Sequence, residues 1–198
     1  MDPYKELANM VGQLPLRARV AFVASCADRI VPLFRFFRGG TRPDALEVAI
    51  EEVWECLDRD DLAAINPICL TLQVLPEADV EGDSNIREYY ASWAIGIFKH
   101  VADSTSGPHP GEGILKVIYY ALGLADNIDG ALDPNGSGDG PIRLQEEAAQ
   151  QACYRLLAEH PNGPLPITEL RRLSADVAGA YIEAAPRVAA YHRWGLAS

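Results

Sequence analysis

Cationic side chains are scarce in this chain. Its 198 residues hold 17 Lys and Arg against 28 Asp and Glu, for a formal net charge of −11 at pH 7. Phosphate contacts need clustered Lys and Arg, so direct nucleic-acid binding is not expected. A run of about 18 apolar residues is also missing, which argues against a membrane span. The stretch MDPYKELANM at the amino end is polar and lacks the apolar core of a signal peptide, so a cytoplasmic protein is expected. Cysteine is sparse: Cys26, Cys56, Cys69 and Cys153 show no CxxC or zinc spacing. Each sits among apolar residues, and buried reduced thiols are expected.

Catalytic signatures are absent too. His100, His109, His160 and His192 have no HExxH spacing and no second histidine at i+4. His109 is expected in a loop, and His100 and His160 at helix ends, where a cation suits the helix dipole. Neither GxSxG nor a P-loop occurs, and no catalytic residue is nominated.

What the chain does have is helical periodicity. Asp2-Pro3 reads as a cap and first-turn proline opening a helix to Met10. A longer helix follows Pro15, with Val20, Val23, Cys26, Ile30, Leu33, Phe34 and Phe37 on one face, and Pro32 predicts a kink or restart. Gly39-Gly40 ends it, and Thr41-Arg42-Pro43-Asp44 caps the next helix. Asn66-Pro67 predicts a cap before a short helix reaching Leu75, and residues 76–83 read as an acidic loop. Asp83 or Ser84 caps a helix patterned by Ile86, Tyr89, Tyr90, Trp93, Ile97 and Val101. The segment Ile114 to Leu132 is apolar on several sides and is expected to be the most buried element. A Gly-rich turn over 133–140 precedes a helix from Ile142 to Glu159, and Thr168 caps a last one carrying Pro186. No stretch alternates as a strand does. The pattern predicts a single all-α domain over 1–198, a multi-helix bundle of about eight helices.

Charge is segregated along this bundle. Residues 43–83 hold twelve acids and Arg59 alone among bases, whereas residues 1–42 are net basic. Within the acidic segment, DALEVAIEEVWECLDRDD is two-faced at helical spacing. Leu46, Ile50, Val53, Trp54 and Leu57 point to a core, while Glu47, Glu51, Glu55 and Asp58 form a carboxylate stripe. Each like-charge i,i+4 contact costs about 0.2–0.5 kcal/mol, so the stripe is either paired internally or kept for a cationic partner. Arg17, Arg19, Arg29, Arg35 and Arg38 are the internal candidates. The candidate partner surface is Glu47, Glu51, Glu55, Asp58, Asp60 and Asp61, continued by Glu77, Asp79, Glu81 and Asp83 in the loop, with Trp54 an anchor if exposed.

A second candidate lies at the Gly-rich turn. Asp133, Asn135, Ser137 and Asp139 take the first, third, fifth and seventh places of an EF-hand-like loop, with Gly138 at its sharp turn. Leu144 stands where a bidentate Glu belongs, so no cofactor is required, and Ca²⁺ or Mg²⁺ is a weak alternative. Asp126, Asp129 and Asp133 share a helical face near a C-terminus, where the dipole disfavours negative charge. Without metal, Asp139 would cap the following helix.

Two blocks carry a family likeness: Arg19 to Phe34, RVAFVASCADRIVPLF, and Thr41-Arg42-Pro43-Asp44-Ala45-Leu46 with the acidic helix to Glu55. They resemble the YjaG-like all-helical bacterial family, whose role is unassigned, and the all-helical immunity proteins of bacterial polymorphic toxin systems. The second resemblance implies a protein that binds and neutralises a cognate toxin, and it brings no catalytic set. The expectation is an acidic inhibitor-type protein with a basic protein partner and no membrane or nucleic-acid ligand. A metal-dependent protein using Asp126 to Asp139, or a scaffold that forms a homodimer, are the alternatives.

Overall fold

The computed structural model describes residues 2–38, 45–72, 75, 86–106, 110–136 and 139–192. Within them the chain forms α1 (Pro3–Gly12), α2 (Leu16–Arg38), α3 (Ala45–Asp58), a 3-10 turn (Leu62–Ala64) and α4 (Ile65–Leu72). It continues with α5 (Ile86–Ser106), α6 (Pro110–Leu132), α7 (Pro141–Ala158) and α8 (Ile167–Tyr191). No strand occurs among the described residues, and the all-α bundle is as the periodicity predicts. No helix among them is long and apolar enough to cross a membrane.

The bundle is built round α2, which packs against α3, α5, α6, α7 and α8. Every residue from Val20 to Ala27 is buried, round the full circumference of the helix. This corrects the expectation that α6 is the most buried element. Arg19, Ser25, Asp28 and Arg29 make α2 look amphipathic, yet Ser25 and Arg29 are wholly enclosed. Ala18, Ala21, Ala24 and Ala27 are short and buried, and interaxial distance follows the side chains at a contact, so neighbouring helices come close. Phe22, Phe34 and Phe37 fill the wider gaps. Burial of each such ring stabilises by about 1.5–3 kcal/mol. Phe37 also stacks on Tyr90 of α5, centroids 4.6 Å apart.

Helix ends differ from the sequence reading in several places. Both α2 and α8 run unbroken through Pro32 and Pro186. An interior proline costs about 3 kcal/mol, and in both helices packing on the surrounding turns holds the chain helical. Asn66-Pro67 falls inside the first turn of α4, where a proline's missing N–H is no loss. Helix α6 begins at Pro110 rather than Ile114, and Thr168 lies within α8, whose N-cap is Pro166. His100, expected at a helix end, is buried inside α5 and stacks on Tyr120. At the amino end the cap is as expected: the Asp2 carboxylate accepts the Tyr4 N–H at 3.0 Å. All four cysteines are buried and free. The expected caps at Thr41–Asp44 and Asp83/Ser84, the acidic loop 76–83, His109, Ser137 and Gly138 lie outside the described residues.

Candidate functional site

Helix α3 sorts its two faces as its period requires. Leu46, Ile50, Val53, Trp54 and Leu57 are buried, and the glutamates face out. Trp54 is only 2% exposed, so it is a core residue and not an interface anchor. Part of the carboxylate stripe is neutralised within the chain. Glu47 pairs with Arg35 of α2, and Glu51 makes a two-pronged pair with Arg171 of α8. Glu55 pairs with Arg59 at 3.3 Å, and Asp60 with Arg17 at 3.3 Å. Glu52, Asp58 and Asp61 are exposed and make no ion pair among the described residues. The remaining candidates, Glu77, Asp79, Glu81 and Asp83, lie outside them.

Asp58 and Asp61 stand at the C-terminal end of α3 because of the way it terminates, and Glu52 stands nearly two turns before it. The Asp61 N–H bonds to the Cys56 carbonyl at 2.8 Å and the Asp60 N–H to Leu57 at 3.4 Å. That is the Schellman arrangement, and it puts Asp60 at φ 59°, a left-handed conformation that Asp tolerates better than most residues. Arg17 reaches across from α2 and donates to the Leu57 carbonyl through Nε and Nη2, at 3.0 and 2.6 Å. A cation at a helix C-terminus opposes the negative dipole end. Asp60 and Arg17 therefore shape this corner, while Glu52, Asp58 and Asp61 are left for solvent or a partner.

Two of the aspartates in and before the Gly-rich turn meet a guanidinium. Arg143 of α7 pairs with Asp126 and holds its Nε 2.9 Å from Asp139 Oδ1. Asp129, 8% exposed, accepts the backbone N–H of Ile142 at 3.2 Å and of Arg143 at 2.8 Å. It therefore caps α7 from α6, the task expected of Asp139. Asp133 accepts the Asn135 N–H at 3.3 Å in a local turn. Asp126 titrates above the ordinary carboxylate range because burial outweighs the attraction of Arg143. Among the described residues no three His, Cys, Asp or Glu side chains are arranged to hold a metal.

A feature the periodicity did not disclose is a buried ion pair between α2 and α7. Arg29 Nε donates to Glu146 Oε2 at 2.9 Å and Nη2 to Oε1 at 2.7 Å, with both side chains wholly enclosed. Arg29 also donates to Ser25 Oγ at 3.0 Å and Cys26 Sγ at 3.1 Å, and Gln150 donates to Glu146 at 2.9 Å. Burial works against the Arg29 charge, but Glu146 more than offsets it and holds the guanidinium above its ordinary range. Burial pushes the Cys26 thiol up to about 12 and Cys153 to about 11, so neither is a ready nucleophile. The Cys26-Ala27-Asp28-Arg29 block that carries the family likeness is therefore in part a core device. Its charge spacing was legible, but its partner on α7 was not.

Asp28, the remaining acid of that block, faces the seam of α2, α3 and α8. It accepts the Trp54 Nε1–H at 3.3 Å. Burial raises its pKa above the ordinary 3.8; Arg171 and the Trp54 bond pull it down, and Glu51 adds to the rise. A raised folded-state pKa means that ionisation destabilises the fold, with no effect below about pH 4 and the full effect above the folded value. Asp28→Asn is therefore expected to be more stable than the native chain at pH 7–8, the gain vanishing by about pH 4. Urea melts across pH check this; a loss of stability at pH 7 would mean that the charge is compensated.

No family model matches the chain, and no curated protein does. A crystal structure of a DUF416 family protein from Shewanella baltica OS155 matches in fold, with TM-score 0.62 and 16% sequence identity. The match covers 88% of this chain and 96% of the other. The shared property is the all-helical architecture.

Proposed function

We propose that this chain is a binding protein that docks a basic partner protein on the C-terminal end of α3. The observation that carries the reading is that Glu52, Asp58 and Asp61 stay exposed and, among the described residues, unpaired where their neighbours are neutralised by arginines of the same chain. Bare charge of one sign speeds encounter with the opposite sign and is screened by salt. The sequence resemblance over residues 19–34 and 41–55 gives the role its form, the neutralisation of a toxin encoded with it.

The test reverses the bare acids and leaves the structural pairs alone. In Glu52→Lys/Asp58→Lys/Asp61→Lys the fold is retained, because none of these side chains holds another element. Tagged native chain, this variant and a control with Glu169→Lys/Glu183→Lys on α8 are used to capture a basic protein from the source cells. Capture by native and control chains that falls at least about tenfold in the triple variant, and weakens with salt, supports the reading. Equal capture by all of them overturns it.

A further inference from the structure

Between α2, α3 and α8 lies a cavity of about 380 Å³, near the lower end of ligand-site volumes. Its charged lining is Asp28, Arg35, Glu47, Glu51 and Arg171. Both guanidiniums are committed, Arg35 to Glu47 and Arg171 to Glu51. The acid left over is Asp28, whose hydrogen-bond donor is the neutral indole of Trp54. One negative charge thus remains in a groove whose other walls include Val31, Ile50 and Ala178.

Pro32 interrupts the hydrogen bonding of the same helix. It lies in the middle of α2, four residues beyond Asp28, and also lines the groove. Having no N–H, it leaves the Asp28 carbonyl without its helical donor. An anion entering here would have to break an existing Arg–Glu pair, whereas a cation would not.

We infer that this groove binds a single organic cation of side-chain size, an alkylguanidinium or alkylammonium group, with Asp28 as its counter-ion. The alkyl stem lies along the apolar wall, as long basic side chains do on apolar surfaces. The site is separate from the bare end of α3, and its test does not depend on a macromolecular partner. The raised Asp28 pKa agrees with a carboxylate kept at a cost to stability, as binding sites often are.

Calorimetry of the full chain with n-butylguanidinium is the test, with propionate as the anionic counterpart. The expected result is saturable binding at one site, weakened at least tenfold in Asp28→Asn, which keeps an acceptor for Trp54 and loses the charge. Ala178→Leu fills the groove without changing charge and should block binding equally, so the two variants guard against misfolding of either. Trp54 emission should shift on binding, and the shift should vanish in Trp54→Phe. A capped tripeptide with a central arginine binding at least as tightly as the free cation marks a partner's side chain as the natural occupant; weaker binding marks a free small cation. No saturable heat with the native chain, equal binding by both variants, or preference for propionate overturns the inference.

Discussion

Glu146→Gln is expected to destabilise the fold by about 3–5 kcal/mol, the largest effect of any single substitution considered. The size follows from what remains behind. Arg29 has no exposure and donates twice to Glu146, so loss of the carboxylate leaves a positive charge in the core. Tyr181 and Gln150, which also face Glu146, would lose an anionic acceptor. Arg29→Met should cost a similar amount for the converse reason, a buried carboxylate without its cation. The double variant Arg29→Met/Glu146→Leu removes both charges and should recover most of the loss, since apolar replacement of a buried pair is often neutral or better. Urea denaturation of the single and double variants completes the cycle. Additive losses would show that the pair is not coupled, contrary to its geometry.

Gly140→Ala is expected to cost about 2–4 kcal/mol, the sum of overpacking and a lost helix cap. Gly140 has an ordinary extended φ of −78°, so conformation does not require glycine there. Space does. A Cβ would stand 2.2 Å from Asp129 Cγ and 2.4 Å from its Cβ, and the latter is fixed by helix α6. Asp129 would have to leave the N–H groups of Ile142 and Arg143. Asp129→Ala alone should cost about 1–2 kcal/mol for the cap. Combined with Gly140→Ala it should cost less than the two separately, because the cap can be lost only once, although the Cβ at position 129 still crowds the new methyl. Thermal melts give the comparison, and simple additivity would show that the clash is relieved elsewhere.

The sequence by itself determined the all-helical class and most of the inward faces, though not the burial of α2 on every side. Period-3.6 patterning is local, and α3 shows it best: Leu46, Ile50, Val53, Trp54 and Leu57 all went to the core. It also determined that negative charge concentrates in one segment and that the cysteines are buried thiols. Helix ends were less legible, because caps come from afar: α7 is capped by Asp129 of α6, and α3 is finished by Arg17 of α2.

Only the tertiary structure decided which charges are spent and which are bare. Arg29 looked like a partner for the α3 acids and instead went inward to Glu146, 117 residues away. Glu51 found its cation on α8, at Arg171. Of the aspartates that read as metal ligands, Asp126 and Asp139 found Arg143. Ion pairing acts through space at a few ångströms and leaves no periodic trace along the chain, so composition fixes how much charge there is but not where it is cancelled.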